Sequence, residues 1–171
     1  MSIKIGYASK DENGKHAGGI VGDQTGREIR IGTWYNQPWN VYLECTDSML
    51  ANRAVSIMKQ ICDNKGYGYD QSQRLTGYNA ILRNGKRVIG AKGEFDCSSL
   101  VSACYKLAGL NIAANNTTLS LRRELLRTGK FKVYTDLKHI SSDELAKPGG
   151  LYLREGSHVV MALEKGKRNN L

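Results

Sequence analysis

The end of the chain constrains the fold most. Two short apolar runs, "LYL" at 151–153 and "HVVMAL" at 158–163, are joined by the tight link "REGS" and follow a turn at Pro148-Gly149-Gly150. Runs this short, bounded by glycine and proline, read as strands. The clear periodicity upstream is helical. "TDSMLANRAVSIMKQICDNKG" repeats Leu50, Ala54, Ile57, Met58 and Ile61 at helical spacing, with Asp47 or Ser48 as cap and Gly66 past its end. A second helix over 97–108 takes Asp96 as cap, turns Leu100, Val101, Cys104 and Leu107 or Ala108 inward, and stops at Gly109. "TTLSLRRELLRTGKF" is a third, capped by Thr117 or Thr118 and closed by Gly129. Helices followed by strands predict an α+β domain with a mostly antiparallel sheet.

Residues 1–46 read as short strands and turns: "SIKIGYAS", a turn at "DENGK", the glycine-rich "AGGIVGDQTG", then "REIRIGTWY", which alternates as a half-buried strand does. Trp34, Tyr35, Trp39 and Tyr42 are its expected packing anchors. The chain is thus read as a single domain over 1–171, with a β-rich N-terminal section at 1–46 before a core at 47–171. "GYGYDQSQRLTGYNAILRNGKRVIGAKGE", at 66–94, reads as a long tyrosine-rich connection, and long loops in compact domains are often functional.

With 171 residues, 40% of them apolar and 24% charged, the chain is long enough for one real core and ordinary in composition. No apolar run approaches a membrane span, so no membrane partner is expected. The opening "MSIKIGYASKDENG" lacks the apolar core of a secretory leader, which predicts synthesis in the cytoplasm and another route to any site outside it. The net charge of +9 is uneven: residues 1–46 carry five basic and five acidic side chains, the remainder twenty and eleven. Such a surface suits an acidic partner, nucleic acid or an anionic wall polymer, or is simply a soluble basic surface.

The four cysteines, Cys45, Cys62, Cys97 and Cys104, form no C-x-x-C, and no His–Cys cluster has zinc-finger spacing. No metal or cofactor is implied, and reduced thiols are expected. Cys97 stands in the first turn of its helix, where unpaired backbone N–H groups and the helix dipole favour a thiolate. The residues alone leave it open as nucleophile or core packing; Cys104, two turns on, reads as core. A cysteine nucleophile needs a base. Of His16, His139 and His158, the last opens an apolar strand right after a tight turn and is the best placed.

"FDCSSLV", "KPGGLYL" and "SHVVMAL", in that order, resemble the NlpC-type cysteine peptidases of bacterial cell walls. The resemblance covers residues 47–165 and implies a papain-like fold, in which a helix bearing the nucleophile packs on an antiparallel sheet bearing the histidine. "GGIVGDQTGREIRIGTWYNQPW" is similar to the front section of phage lysins and related wall hydrolases of Gram-positive bacteria. The resemblance implies Cys97 as nucleophile, His158 as general base, and Asp96, Ser98 and Tyr69 at the substrate. Ser99 stands where the family more often has glycine, and Gly150 where it has aspartate. For the group that orients the imidazole, the family uses a polar side chain beyond the histidine, which here means Asn170 or Asn169. Asp23 in "GDQTG" is preferred, because a carboxylate stabilises an imidazolium better than an amide.

The implied activity is a peptidoglycan endopeptidase acting on the stem peptide, between D-glutamate and the third-position diamino acid, in bacterial cell-wall lysis. The same Cys–His site could serve an N-acetylmuramoyl-L-alanine amidase or a cross-bridge peptidase. A non-catalytic basic module for wall polymer or nucleic acid is the rival from another class. For the enzyme reading the partner is bacterial peptidoglycan, with no nucleic acid, and the chain is expected to act on the wall after release from the cell, in company with a C-terminal wall-binding domain outside the sequence.

Overall fold

The computed structural model describes residues 2–11, 13–18, 21 and 28–168. Six strands form one sheet: β1 (Lys4–Ala8), β2 (Ile29–Thr33), β3 (Val41–Cys45), β6 (Phe131–Tyr134), β7 (Leu151–Arg154) and β8 (His158–Ala162), in the order β2-β1-β8-β7-β3-β6. Every neighbouring pair is antiparallel. The fold is therefore α+β, as the element order predicts. The N-terminal section is not an extension in front of a separate core. It supplies β1 and β3, which lie inside the sheet on either side of the β7–β8 hairpin.

Both faces of the sheet are covered, and strand alternation sorts the side chains. Val41, Leu43, Leu151, Leu153, Val159 and Met161 join the larger core with α1 (Ser48–Cys62) and α3 (Cys97–Leu107). Tyr42, Tyr152, Val160 and Ala162 face the other way, into a smaller aromatic cluster with Trp39, Trp34 and Tyr35. After His158 the run "VVMAL" is apolar throughout because both of its faces are buried.

Local chemistry explains the two long helices. Asp47 accepts the Leu50 amide at 3.1 Å to cap α1. Asp96 accepts the Ser99 amide at 2.9 Å and Ser99 Oγ accepts the Asp96 amide at 2.9 Å, a capping box that opens α3. The serine at the position usually held by glycine is thus half of this cap. Helix α4 (Leu121–Arg127) is shorter than expected: its N-cap is Ser120, and the Thr117 carbonyl accepts the Ser120 and Leu121 amides in a preceding turn.

The expected connection at 66–94 is instead structured. It holds β4 (Tyr67–Tyr69), a 3-10 turn at 71–73, α2 (Thr76–Arg83) and β5 (Gly93–Phe95), and β4 pairs with β5 in a separate parallel ribbon. Gly77 of α2 and Gly93 of β5 let the two backbones touch. A Cβ on Gly93 would clash with the Gly77 Cα. This contact seats β5, whose next residues are Asp96 and Cys97. Helix α5 (Leu137–Ile140) is a single turn before β7. Gly150, where the resembled family carries aspartate, has no room for a side chain: a Cβ there would run into the Tyr42 hydroxyl, and that hydroxyl accepts the Lys147 amide at 2.8 Å.

Candidate active site

The sheet opens where the helix meets it. β1 pairs with β2 as far as Ala8, but with β8 only through Ile5↔Ala162 and Gly6↔Met161. Beyond Gly6 the two strands part. Leu153, opposite Val159, gives its carbonyl to the Asn40 amide on the β3 side at 3.0 Å. In an antiparallel ladder Val159 then turns its own amide the other way, into the opening. The first turn of α3 fills that seam. The backbone N–H groups of Val159, Ser98 and Cys97 are all directed at Cys97 Sγ.

Those amides favour a thiolate, yet they do not win. Burial of Cys97, 8% exposed, and then the charge of Asp96 push its thiol up to about 11. Cys97 rests as a neutral thiol. Cys104, on the same helix, is wholly buried, and burial pushes its thiol up as well. All four cysteines are free thiols.

His158 is the first residue of β8 and shares its face with Val160 and Ala162, so its ring stands among the aromatics. Gly156, at φ +83° in the β7–β8 link, allows the tight turn before it, and Glu155 ties that turn to Asn40 and Arg122. Trp39 stacks on the ring at 6.0 Å and 25°, Tyr7 meets it edge-on, and Nε2 lies 3.0 Å from the Tyr35 hydroxyl. Burial in this box pushes the imidazole down to about 4. Among the described residues no hydrogen bond joins the thiol to the ring; the thiol faces the amide of Val159, the residue after His158. With Nε2 engaged, Nδ1 is the nitrogen left for a proton from the thiol.

The folded ring stays neutral in the range where an unfolded one, at 6.5, takes up a proton. Stability is therefore full above 6.5 and is lost as pH falls toward 4, by about 3 kcal/mol from this group. Urea denaturation of the protein and of His158→Gln at both pH values should show that drop only in the protein carrying the histidine. An equal drop in both would assign it elsewhere.

Asp96 is more than a cap. Its Oδ2 meets Arg74 Nε at 2.7 Å, and Arg74 also donates to Ser98 Oγ at 3.0 Å, to the Asn115 carbonyl at 3.1 Å and to the Asn116 carbonyl. Asp96 and Ser98, both expected at the substrate, are thus held by one guanidinium that also fastens the loop before α4. Tyr69 ends β4; its hydroxyl accepts from Gln71 Nε2 at 3.0 Å, and His16 packs edge-on against its ring at 6.0 Å. Burial pushes the Tyr69 phenol up to about 12, with the Cys97 and Asp96 charges adding to it. His139 sits apart, bonded to Asp136 at 2.8 Å and stacked on Tyr134. Asp23, Asn169 and Asn170 lie outside the described residues. Among the described residues no three His, Cys, Asp or Glu side chains gather as metal ligands, and no helix is long and apolar enough to cross a membrane.

Arg74, Tyr35 and Trp39 are not among the residues that the sequence pattern marks for the site. Arg74 falls in a stretch that reads as loop. The aromatics of "TWYNQPW" read only as packing groups; the proline and the adjacent polar residues are the available sign of a turn presenting side chains.

No curated protein and no solved structure is significantly similar to the chain. A family model does match, over residues 5–169, which takes in the thiol, the imidazole and, but for Lys4, the strands that frame them. On that match the chain belongs to the endolysin-like domain family.

Proposed function

We propose that the protein is a peptidoglycan hydrolase, a cysteine peptidase of the NlpC type with a papain-like arrangement of helix and sheet. The observation that carries this reading is the Cys97 thiol at a helix N-terminus, under backbone amides that include that of Val159, the residue after His158 at the start of β8. Membership of the endolysin-like family supports the wall as its target.

His158 Nδ1 takes the thiol proton as Sγ attacks a peptide carbonyl carbon. Because both groups rest neutral, proton transfer accompanies attack rather than preceding it. The amides of the first turn of α3 receive the developing oxyanion. The C–N bond breaks as the imidazolium returns its proton to the leaving amine. Water, deprotonated by the same ring, then hydrolyses the thioester. Tyr69 and the Arg74-bound Asp96 and Ser98 border the thiol and contact the stem peptide. By resemblance, the bond is that between D-glutamate and the diamino acid.

Mass spectrometry of fragments released from purified Gram-positive walls tests this. Stem peptides cut after D-glutamate, with a new amine on the diamino acid, are the expected products. Intact stem peptides freed from muramic acid would identify an amidase working through the same thiol. No released fragments would leave a binding module and end the hydrolase reading.

A further inference from the structure

We propose that the turn between β2 and β3, through Tyr35, positions the His158 imidazole and selects its tautomer, in the role expected of Asp23 or Asn170. The inference rests on the cysteine peptidase reading above.

The His158 ring is held on two sides by this one turn. Trp39 stacks on its face, and the Tyr35 hydroxyl meets Nε2 at 3.0 Å. The turn is self-bracing: Trp39 Nε1 donates to the Tyr35 carbonyl at 3.2 Å, and the Trp39 amide donates to the Gln37 carbonyl at 2.6 Å. A phenol has one proton and two lone pairs. Through one of those lone pairs the phenol oxygen accepts Nε2–H from the ring. The proton of the neutral imidazole is then fixed on Nε2, and Nδ1 is left bare to receive the thiol proton. Burial keeps the phenol protonated, pushing it up to about 12, so it meets the ring as a neutral group at any working pH. No charge is placed beside the ring, in keeping with an imidazole that rests neutral. A carboxylate in this position would instead draw the ring toward its charged form.

Tyr35 acts through His158 and so is a positioning residue, and the test includes signals that packing alone would not move. In Tyr35→Phe the ring loses its acceptor while the aromatic box is kept. Turnover of a soluble muropeptide with a complete stem should fall about tenfold to a hundredfold, with KM little changed and the thermal midpoint near that of the parent. The acid limb of the pH profile should move to lower pH, because an imidazolium without that acceptor is less stable. Nitrogen chemical shifts of the His158 ring should report Nε2–H in the parent and a tautomer mixture in the variant. Tyr35→Leu removes the same acceptor and should move tautomer and turnover the same way; it serves also if Tyr35→Phe does not fold. Unchanged turnover and tautomer in a folded Tyr35→Phe would overturn the proposal, as would a large loss in Asp23→Asn with none in Tyr35→Phe. Either result leaves the peptidase reading standing, because that reading fails only if Cys97→Ala still cuts the same substrate.

Discussion

Cys97→Ala should leave no measurable lysis of a wall suspension, in a protein that melts within a few degrees of the parent. The two halves of this expectation have separate causes. Activity goes because alanine offers no nucleophile and no neighbouring thiol can replace it. Fold is kept because the start of α3 is secured by other groups: Asp96 and Ser99 close the capping box, and Arg74 holds Asp96 from outside. The thiol contributes only the burial of one small soft group, about 1 kcal/mol. Cys104→Ala is the matched control. It removes a more deeply buried thiol from the same helix, so it should lower stability more and leave lysis intact. Clearing of walls by Cys97→Ala would sink the assignment. Loss of lysis in both variants, with both folded, would show that the helix rather than the thiol had been tested.

Gly93→Ala should cost about 3 kcal/mol in urea denaturation, near the upper end of what overpacking produces. The added Cβ would sit 2.5 Å from Gly77 N, 2.6 Å from the Thr76 carbonyl carbon and closer still to Gly77 Cα, all backbone atoms at the start of α2 with no rotamer to give way. Relief requires α2 and β5 to separate. That would weaken the pairing of β4 with β5 and shift the strand that runs directly into Asp96 and Cys97. Lysis should therefore fall more than the loss of folded protein accounts for. Gly85→Ala separates this cause from glycine chemistry in general. Gly85 has φ +66° but nothing within 4 Å of the new Cβ, so its cost should be left-handed strain alone, roughly 1 kcal/mol. Equal losses at the two positions would mean that backbone strain, not the contact of α2 with β5, governs both.

Short-range chemistry sets the part of this protein that is legible in its residues alone. A run of residues with helical period and an aspartate at its head makes α1 and α3, because caps and one-sided burial act within a few residues of each other. The same local signals put Cys97 in the first turn of a helix. The paired runs at 151–153 and 158–163 likewise announce β7 and β8, and with them the position of His158 at a strand start. The class, α+β with an antiparallel sheet, follows from those elements. The remainder depends on pairing between distant segments. β4 and β5 are three residues each and become strands only because they pair with each other, and β3 lies between β7 and β6, its partners drawn from the far end of the chain. α2 is only eight residues long and has Gly77 near its start, so its helical signal is too weak to separate it from loop. The environment of the imidazole is the clearest case. Tyr35 is 123 residues from His158 in the chain, and its hydroxyl reaches Nε2 only because β1 pairs on one side with β8 and on the other with β2, the strand that leads into Tyr35. No local pattern encodes a contact of that separation; it exists only once the sheet order brings both ends of the chain to the same face.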